Sequence, residues 1–266
     1  MLSIATLETS SLRVTETDGV AFIELDRPPA NALDMNTLED ISQAILAVRV
    51  DPAVKVAVIT SAVPRFLSAG LDLSELDADA NRMNYVQYLF HEMIIMRART
   101  TPKVFIAAIN GNCLGGGMEL ALACDIRIAG QGSWALGLPE VNLGGFPGGG
   151  GLQLLGRLVG FAKALRLGMS GETWTVDQAH ELGIIDEVVG QEELLAHVSE
   201  LARRIAEGPV KSIAAMKMGT TLGREMGLPG ALSLDRELYN QVYATEDIKE
   251  GGNAFKEKRP PKYKGR

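Results

Sequence analysis

Residues 104–124 read VFIAAINGNCLGGGMELALAC, an apolar run typical of a buried strand that leads through three glycines into a helical pattern. A second glycine-containing turn, Ser68-Ala69-Gly70-Leu71-Asp72, follows another apolar run over residues 54–60. Each segment predicts a strand, a tight turn and a helix in succession. Backbone N–H groups at two such turns can converge on one carbonyl oxygen and stabilise it as it becomes an oxyanion. The pattern therefore indicates acyl chemistry through a stabilised enolate.

Strand and helix signals alternate on either side of these turns. Two apolar runs with alternating polarity meet at Asp18-Gly19, which predicts a β-hairpin. Asp34 or Asn36 can cap the N-terminus of an amphipathic helix over residues 37–48. Such alternation predicts an α/β fold with a parallel sheet, whose ligands bind at the carboxyl ends of the strands.

Helical patterns dominate the carboxyl-terminal part of the chain. After Ile128 strand signals become rare, and a last helical run over residues 230–250 is expected to end at Gly251-Gly252. We predict an α/β core over residues 1–200 and a helical region over residues 201–266 that cannot bury its apolar faces alone. The other helices predicted after Ile128 cover residues 150–158, 161–167, 176–182, 192–206 and 210–222.

Composition and charge exclude some classes of partner. The 266 residues are 46% hydrophobic, enough for a sizeable core, and their formal net charge of −7 gives no field that would attract nucleic acid or an acidic membrane. Both cysteines lie in apolar stretches, which fits a reducing compartment. No apolar run approaches the roughly 18 residues of a membrane span. We expect a cytoplasmic protein, with an organellar matrix as the alternative.

The three histidines do not form a metal-binding pattern. His91, His180 and His197 lie in helical runs without a second ligand at the required spacing, so we expect no metal site and a structural role for each. His91 belongs to a helix predicted over residues 84–97, which carries methionines near its ends. That helix is either a core helix or the wall of an acyl pocket.

Five segments, in register, carry a family resemblance. They are FLSAGLDL at residues 66–73, AAINGNCLGGGMEL at 107–120, CD at 124–125, GLPE at 137–140 and GFPGGGG at 145–151. In order and spacing, from the Arg27-Pro28 loop to the tail at residues 255–259, the chain resembles the crotonase superfamily of enoyl-CoA hydratases and isomerases.

This resemblance implies a spiral of ββα units with a carboxyl-terminal helical region that forms a homotrimer, or a hexamer of two trimers. It implies a coenzyme A thioester as substrate and no separate cofactor. Peptide N–H groups of Leu71 and Gly116 match the oxyanion donors of the family. Asp72 is also a candidate helix cap. The positions that match its substrate-binding residues are Ala30, Ser68, Ala69, Gly70, Leu71, Asp72, Leu73, Gly115 and Gly116.

Two glutamates are the candidate proton carriers. Glu119 lies in the first turn of the predicted helix, where apolar neighbours would raise its pKa and suit it to proton transfer. Glu140 matches the second glutamate of the family. The alternatives are a carboxylate that only stabilises a helix N-terminus at 119 and a helix-start residue after Pro139 at 140. Two carboxyl groups at one alkene can activate water and protonate carbon, which is the chemistry of hydration.

We therefore expect an enoyl-CoA hydratase that adds water across the 2,3 double bond of an enoyl-CoA thioester. A Δ3,Δ2-enoyl-CoA isomerase is the first alternative, since one carboxylate can move a proton between carbons and residues 60–73 resemble isomerases more than typical hydratases. A non-catalytic RNA-binding or scaffolding protein is the alternative from another class. Six of the last eleven residues are basic, and they are either a solvated tail, a contact with the phosphates of CoA, or the RNA contact of that alternative.

Overall fold

The computed structural model describes residues 2–77 and 79–266 and shows an α/β fold. The strands are β1 Leu12–Thr17, β2 Val20–Leu25, β3 Ala32–Leu33, β4 Val56–Ser61, β5 Arg65–Ser68, β6 Gly70–Leu71, β7 Val104–Ile109, β8 Gly111–Leu114, β9 Ile126–Gly130, β10 Leu136–Gly137 and β11 Glu187–Val189. The helices are α1 Met35–Val50, α2 Ala80–Tyr88, α3 Arg97–Thr100, α4 Gly116–Ala123, α5 Gly151–Val159, α6 Phe161–Ser170, α7 Val176–Glu181, α8 Leu194–Ala206, α9 Val210–Gly223, α10 Leu228–Tyr243 and α11 Glu246–Glu257.

From β4 to β10, each strand of the main sheet is followed by a strand of a second sheet, and β3 and β6 pair in a third. The main sheet has the order β1-β2-β4-β7-β9-β11, and a second sheet has the order β10-β8-β5. Each of β4, β7 and β9 is thus followed by a strand of the second sheet, and the first two of these pairs lead into a helix. Apart from the β1–β2 hairpin, neighbouring strands of the main sheet are parallel. This alternation confirms the predicted repetition of ββα units.

Two apolar clusters cover the main sheet. One contains α1, α4 and residues such as Phe105, and the other lies between the sheet and α8. In α8 the buried residues recur every four positions, at Leu194, Val198, Ala202 and Ala206, which makes one continuous apolar face. The boundary expected at residue 200 therefore falls inside a helix that packs on the main sheet.

The predictions of a hairpin turn and a helix cap near the amino terminus are confirmed. Asp18 and Gly19 turn the hairpin with φ angles of 54° and 82°, the left-handed values that a tight two-residue turn requires. Of the two candidate caps, Asp34 is the one used, because its carboxylate accepts a hydrogen bond of 2.8 Å from the N–H of Thr37.

The prediction for the last helical run was wrong. It consists of two helices, and the second, α11, continues through Gly251-Gly252 to Glu257. The glycine at 251 makes room for the returning tail, because a Cβ atom there would lie 3.3 Å from the hydroxyl oxygen of Tyr263. Gly251 therefore serves close packing of the tail on α11.

The helix expected over residues 84–97 is interrupted in its middle. Between α2 and α3 the chain forms a π-helical segment, Leu89–Met96, a wider turn that is frequent at functional sites. None of the helices in the described ranges combines the length and apolar character that a bilayer span demands. Both cysteines are buried, and burial raises the pKa of the Cys124 thiol to about 12.

Candidate active site

The first oxyanion candidate, Gly116, begins α4. Gly115 precedes it with a φ of 51°, and the first hydrogen bond of the helix runs from the N–H of Glu119 to the carbonyl oxygen of Gly115, over 2.9 Å. The N–H of Gly116 lies before that bond, so it is one of the helix-terminal donors that α4 itself cannot use. A donor at this positive end of a helix suits a developing negative charge.

The second candidate, Leu71, lies in the short strand β6, which pairs in parallel with β3. The N–H of Asp72 donates to the carbonyl oxygen of Leu33 over 3.0 Å. Because successive N–H groups of a strand point in opposite directions, the N–H of Leu71 points away from β3. The two candidate turns are in contact, since a Cβ atom on Gly70 would lie 3.3 Å from the nitrogen of Gly116.

Glu119 is almost completely buried, with 2% of its surface exposed. Its Oε1 accepts a hydrogen bond of 2.8 Å from the N–H of Gly151. A Cβ atom on Gly149 would lie 2.6 Å from Oε2, so this carboxyl group is enclosed by the glycine run. Burial raises the pKa of Glu119 to about 7, the charge of Glu140 adds to the shift, and the Gly151 hydrogen bond opposes it.

Glu140 approaches the same turn from the other side. It starts the short 3₁₀ helix Glu140–Leu143 after Pro139, and its Oε1 lies 3.3 Å from the place of a Cβ atom on Gly115. Its Oε2 is buried and has no hydrogen-bond partner among residues 2–77 and 79–266. Burial raises the pKa of this carboxyl group. The protein thus keeps a second, incompletely bonded acid beside Gly115 and Gly116.

Ser68 and Asp72 hold the turn around Gly70 in place. The hydroxyl of Ser68 donates to the carbonyl oxygen of Asn31 over 2.7 Å and accepts from the N–H of Gly70. Asp72 accepts from the backbone and hydroxyl of Ser74, which lowers its pKa, and it also pairs with Arg27 at 2.8 Å. Asp72 therefore acts as a cap, the alternative that its position had suggested.

The remaining candidates for substrate contact lie on neighbouring backbone. The N–H of Ala69 donates to the carbonyl oxygen of Ala30 over 2.9 Å, which places the two predicted positions side by side. Ala69 and Leu73 are exposed, whereas Gly115 is buried. All the predicted positions on loops 30–33 and 68–73 are therefore brought together by the pairing of β3 with β6.

Sequence reasoning missed Phe90 as a site residue. Its buried ring lies against both glycine segments, since its Cζ would be 2.8 Å from a Cβ atom on Gly116 and its Cδ1 2.8 Å from one on Gly149. Phe90 belongs to the π-helical segment, and an aromatic residue in an apolar helical run is an ordinary core signal. The glycine run at residues 145–151, which is part of the family resemblance, forms the wall around Glu119.

The histidines have structural partners or lie at the surface. Nδ1 of His180 contacts the carbonyl oxygen of Ile185 at 3.0 Å, and Nε2 of His197 contacts a carboxylate oxygen of Glu187 at 2.7 Å. His91 is exposed on the π-helical segment.

The family model for enoyl-CoA hydratase/isomerase matches residues 15–266. The chain belongs to the enoyl-CoA hydratase/isomerase family. A probable enoyl-CoA hydratase of Bacillus subtilis is 38% identical over 92% of this chain and 95% of its own. A 2,3-dehydroadipyl-CoA hydratase of Escherichia coli is 36% identical over 97% of this chain and 100% of its own.

Solved structures of the enoyl-CoA hydratase/isomerase family confirm the crotonase-type fold. The chain matches an enoyl-CoA hydratase structure from Geobacillus kaustophilus with a TM-score of 0.94, at 38% identity, over 97% of this chain and 98% of that one. An acyl-CoA thioester is the substrate expected for an enzyme of this family. The two curated relatives carry names that differ in the acyl group, so they leave the acyl group of this family member open.

The basic tail of this enoyl-CoA hydratase/isomerase family member folds back on α11. Arg259 pairs with Glu250 and Glu257, each at 2.6 Å, and Lys264 and Arg266 approach Glu246 at 3.7 and 3.4 Å. Acidic partners thus offset much of the positive charge of the tail, which reduces its suitability for binding RNA phosphates.

Proposed function

We propose that the protein is an enoyl-CoA hydratase that adds water across the 2,3 double bond of an enoyl-CoA thioester. The observation that carries the proposal is the closeness of the two glycine turns to a pair of buried carboxyl groups. A Cβ atom on Gly70 would lie 3.3 Å from the nitrogen of Gly116, and the carboxyl groups of Glu119 and Glu140 lie near that turn. Relatives named as enoyl-CoA hydratases support the same reaction.

In the proposed mechanism, the thioester oxygen accepts hydrogen bonds from the N–H groups of Leu71 and Gly116. These donors are fixed by the β3–β6 pairing and by the start of α4, so they need no reorganisation when negative charge develops. Each such donor typically lowers the barrier by about 3–4 kcal/mol. The carbon–carbon double bond then lies within reach of the two acids.

The two carboxyl groups share one proton before the reaction. The ionised group takes a proton from water as the water oxygen bonds to C3, and the protonated group gives its proton to C2. The carbonyl double bond reforms from the enolate as C2 takes this proton. The product is a 3-hydroxyacyl-CoA, and the pair again holds one proton. A pKa of about 7 at Glu119 suits such sharing near neutral pH.

The hydratase proposal is tested by the loss of the conjugated enoyl-thioester absorbance with trans-2-enoyl-CoAs of short and medium chain length. We expect Glu119→Gln and Glu140→Gln to lower kcat by about 10²–10⁴-fold, since each removes one partner of the proton transfer. Glu181→Gln, an exposed acid of α7, is the matched control and should retain full activity. A folded wild-type protein that hydrates none of these thioesters would refute the proposal.

A Δ3,Δ2-enoyl-CoA isomerase is the second candidate. It is favoured by the buried Oε2 of Glu140, which has no hydrogen-bond partner in the two described stretches of the chain, because one carboxyl group beside an enolate can carry a proton from C2 to C4. With 3-enoyl-CoA as substrate, an isomerase produces the conjugated absorbance that a hydratase removes. Faster turnover of 3-enoyl-CoA than of 2-enoyl-CoA would assign the protein to this reaction.

A further inference from the structure

A cavity of about 480 Å³ lies behind the glycines that enclose Glu119. Gly149 and Gly150 form part of its wall, and Gly149 is also the residue whose added Cβ would touch Oε2 of Glu119 at 2.6 Å. The cavity and the proposed proton-transfer site therefore share one glycine as a boundary. No side chain stands at that position to separate them.

The cavity has the size and lining of an acyl pocket. Residues from the π-helical segment, α5 and α9 give it apolar walls, including Ile95, Leu154 and Leu222. A cavity of about 150 Å³ is enough to hold benzene, so this one has room for a chain of several carbons or for an aromatic ring. An enoyl chain that leaves Glu119 over Gly149 would enter it.

The charge within this cavity is unusual for an acyl pocket. Arg99 of α3 lines it, is only partly exposed, and makes no hydrogen bond or ion pair within the described ranges of the chain. Burial lowers the pKa of Arg99, and the positive charge of Arg224 adds to this effect. A partly desolvated guanidinium without a partner is costly unless an anion binds it.

Two acidic residues near Arg99 form ion pairs with other basic residues. Asp125 pairs with Lys217 at 2.8 Å, and Glu225 holds Arg157 through two hydrogen bonds of 2.9 and 3.1 Å. Glu92 also lines the cavity, but its side chain is exposed to solvent. Of the two arginines that line the cavity, Arg157 is paired with Glu225, and Arg99 has no ion pair in the described ranges of the chain.

We propose that the acyl group of the substrate ends in a carboxylate and that Arg99 binds it. This inference rests on the proposed function and specifies its substrate class as the CoA half-thioesters of unsaturated dicarboxylic acids. The planar guanidinium forms two parallel hydrogen bonds with the terminal carboxylate, while the apolar walls contact the intervening carbons. A neutral acyl chain of the same length leaves Arg99 unpaired and binds less tightly.

The test compares two substrates of equal length, trans-2-hexenoyl-CoA and the mono-CoA thioester of trans-2-hexenedioic acid. We expect the wild-type protein to prefer the second by at least about tenfold in kcat/KM, and Arg99→Gln to reduce that ratio by about 10–100-fold, mainly through KM. Arg99→Lys should restore part of the ratio. Arg204→Gln, which removes an exposed arginine of α8, should leave the ratio unchanged.

The use of a ratio separates substrate recognition from folding, because a folding defect lowers both activities alike. Equal kcat/KM values for the two substrates in the wild type, or an unchanged ratio in Arg99→Gln, would overturn the assignment of Arg99 and leave the hydratase proposal intact. Absence of hydration of both substrates would overturn the hydratase proposal and this inference with it.

Discussion

At the scale of single residues, the burial of Glu119 lowers the stability of the fold when this carboxyl group is ionised. A carboxyl group with 2% exposure is held beside a second acid, and both features oppose its ionisation. Such a group destabilises the fold at any pH where it must be charged. Its retention in the core beside Gly116 therefore fits a catalytic role better than a structural one.

This burial predicts a pH dependence of stability. The pKa of Glu119 rises from 4.5 to about 7 on folding, so between these pH values the unfolded chain has released a proton that the folded protein keeps. The free energy of unfolding should therefore fall as pH rises from about 4.5 to about 7, by roughly 1.4 kcal/mol per pH unit at most. Urea unfolding of the wild type and of Glu119→Gln at pH 5, 6, 7 and 8 measures this change in the free energy of unfolding.

The expected result is a difference in unfolding free energy, wild type minus Glu119→Gln, that becomes less favourable up to about pH 7 and then levels. A difference that stays constant across the series would show that Glu119 ionises normally in the folded protein. Glu181→Gln provides the matched comparison, since this acid is exposed.

Gly116 is predicted to tolerate no side chain. A Cβ atom there would lie 2.8 Å from Cζ of the buried Phe90 and 3.2 Å from Cδ1 of Leu33. We expect Gly116→Ala to lower stability by about 1–3 kcal/mol and to lower kcat/KM, because the proposed oxyanion donor is displaced. Thermal unfolding and steady-state kinetics report the two effects.

The second-site variant Gly116→Ala/Phe90→Leu distinguishes the cause. Removal of the ring should recover most of the lost stability if the clash with Phe90 is responsible. Identical melting temperatures for the wild type and Gly116→Ala would contradict the close contact.

At the scale of elements, the glycine pair in α11 offers a matched comparison. A Cβ atom on Gly252 would meet no atom within 4 Å, whereas one on Gly251 would press on Tyr263. Because alanine is favoured over glycine in a helix by about 1 kcal/mol, Gly252→Ala should raise the unfolding free energy by that amount. Gly251→Ala should gain less or lose stability. Equal gains for both variants would mean that Tyr263 does not constrain α11.

Elements set by neighbouring residues could be predicted from the sequence. The hairpin at Asp18-Gly19 and the cap at Asp34 depend on residues at most three positions apart, and both predictions were confirmed. The strand β11 could not be predicted, because its three residues gain their partner only when β9 lies beside them. The π-helical segment likewise has no local signal.

The residues of the candidate site, too, could be predicted from the sequence only in part. Glu119 and Glu140 were found through residue type and motif, and their burial beside one turn is a property that no local pattern specifies. Phe90 and Gly149 became site residues only through contacts with segments 26 and 30 residues away in sequence, at Gly116 and Glu119.

At the scale of the whole molecule, two groups of large apolar side chains are exposed on helices of the described part of the chain. One is a stripe on α6, formed by Phe161, Leu165 and Met169 at a spacing of four residues. The other belongs to the carboxyl-terminal helices. Its large exposed residues are Met216, Leu228, Leu232, Tyr239, Tyr243 and Phe255. Two different patches are compatible with a closed ring of identical chains, and the resemblance to the crotonase superfamily implies three subunits, so we propose that the protein is a homotrimer.

The trimer proposal predicts that Leu165→Asp dissociates the assembly, because a charge would be buried in the interface. Light scattering should give three times the chain mass for the wild type, or six times if two trimers associate, and the mass of one chain for the variant. Lys163→Asp changes an exposed residue on the other side of α6 and should leave the mass unchanged. A monomeric wild type would contradict the proposal.

The two buried thiols also determine how the protein can be labelled. Cys113 and Cys124 are shielded from solvent, and burial raises the pKa of both, so neither forms a reactive thiolate under ordinary conditions. A single cysteine introduced at the exposed Leu73 would therefore be the one site that a maleimide dye attacks. The dye would lie beside the loop that carries Leu71, so its fluorescence would follow thioester binding in real time. The two native cysteines would remain unlabelled and would add no signal.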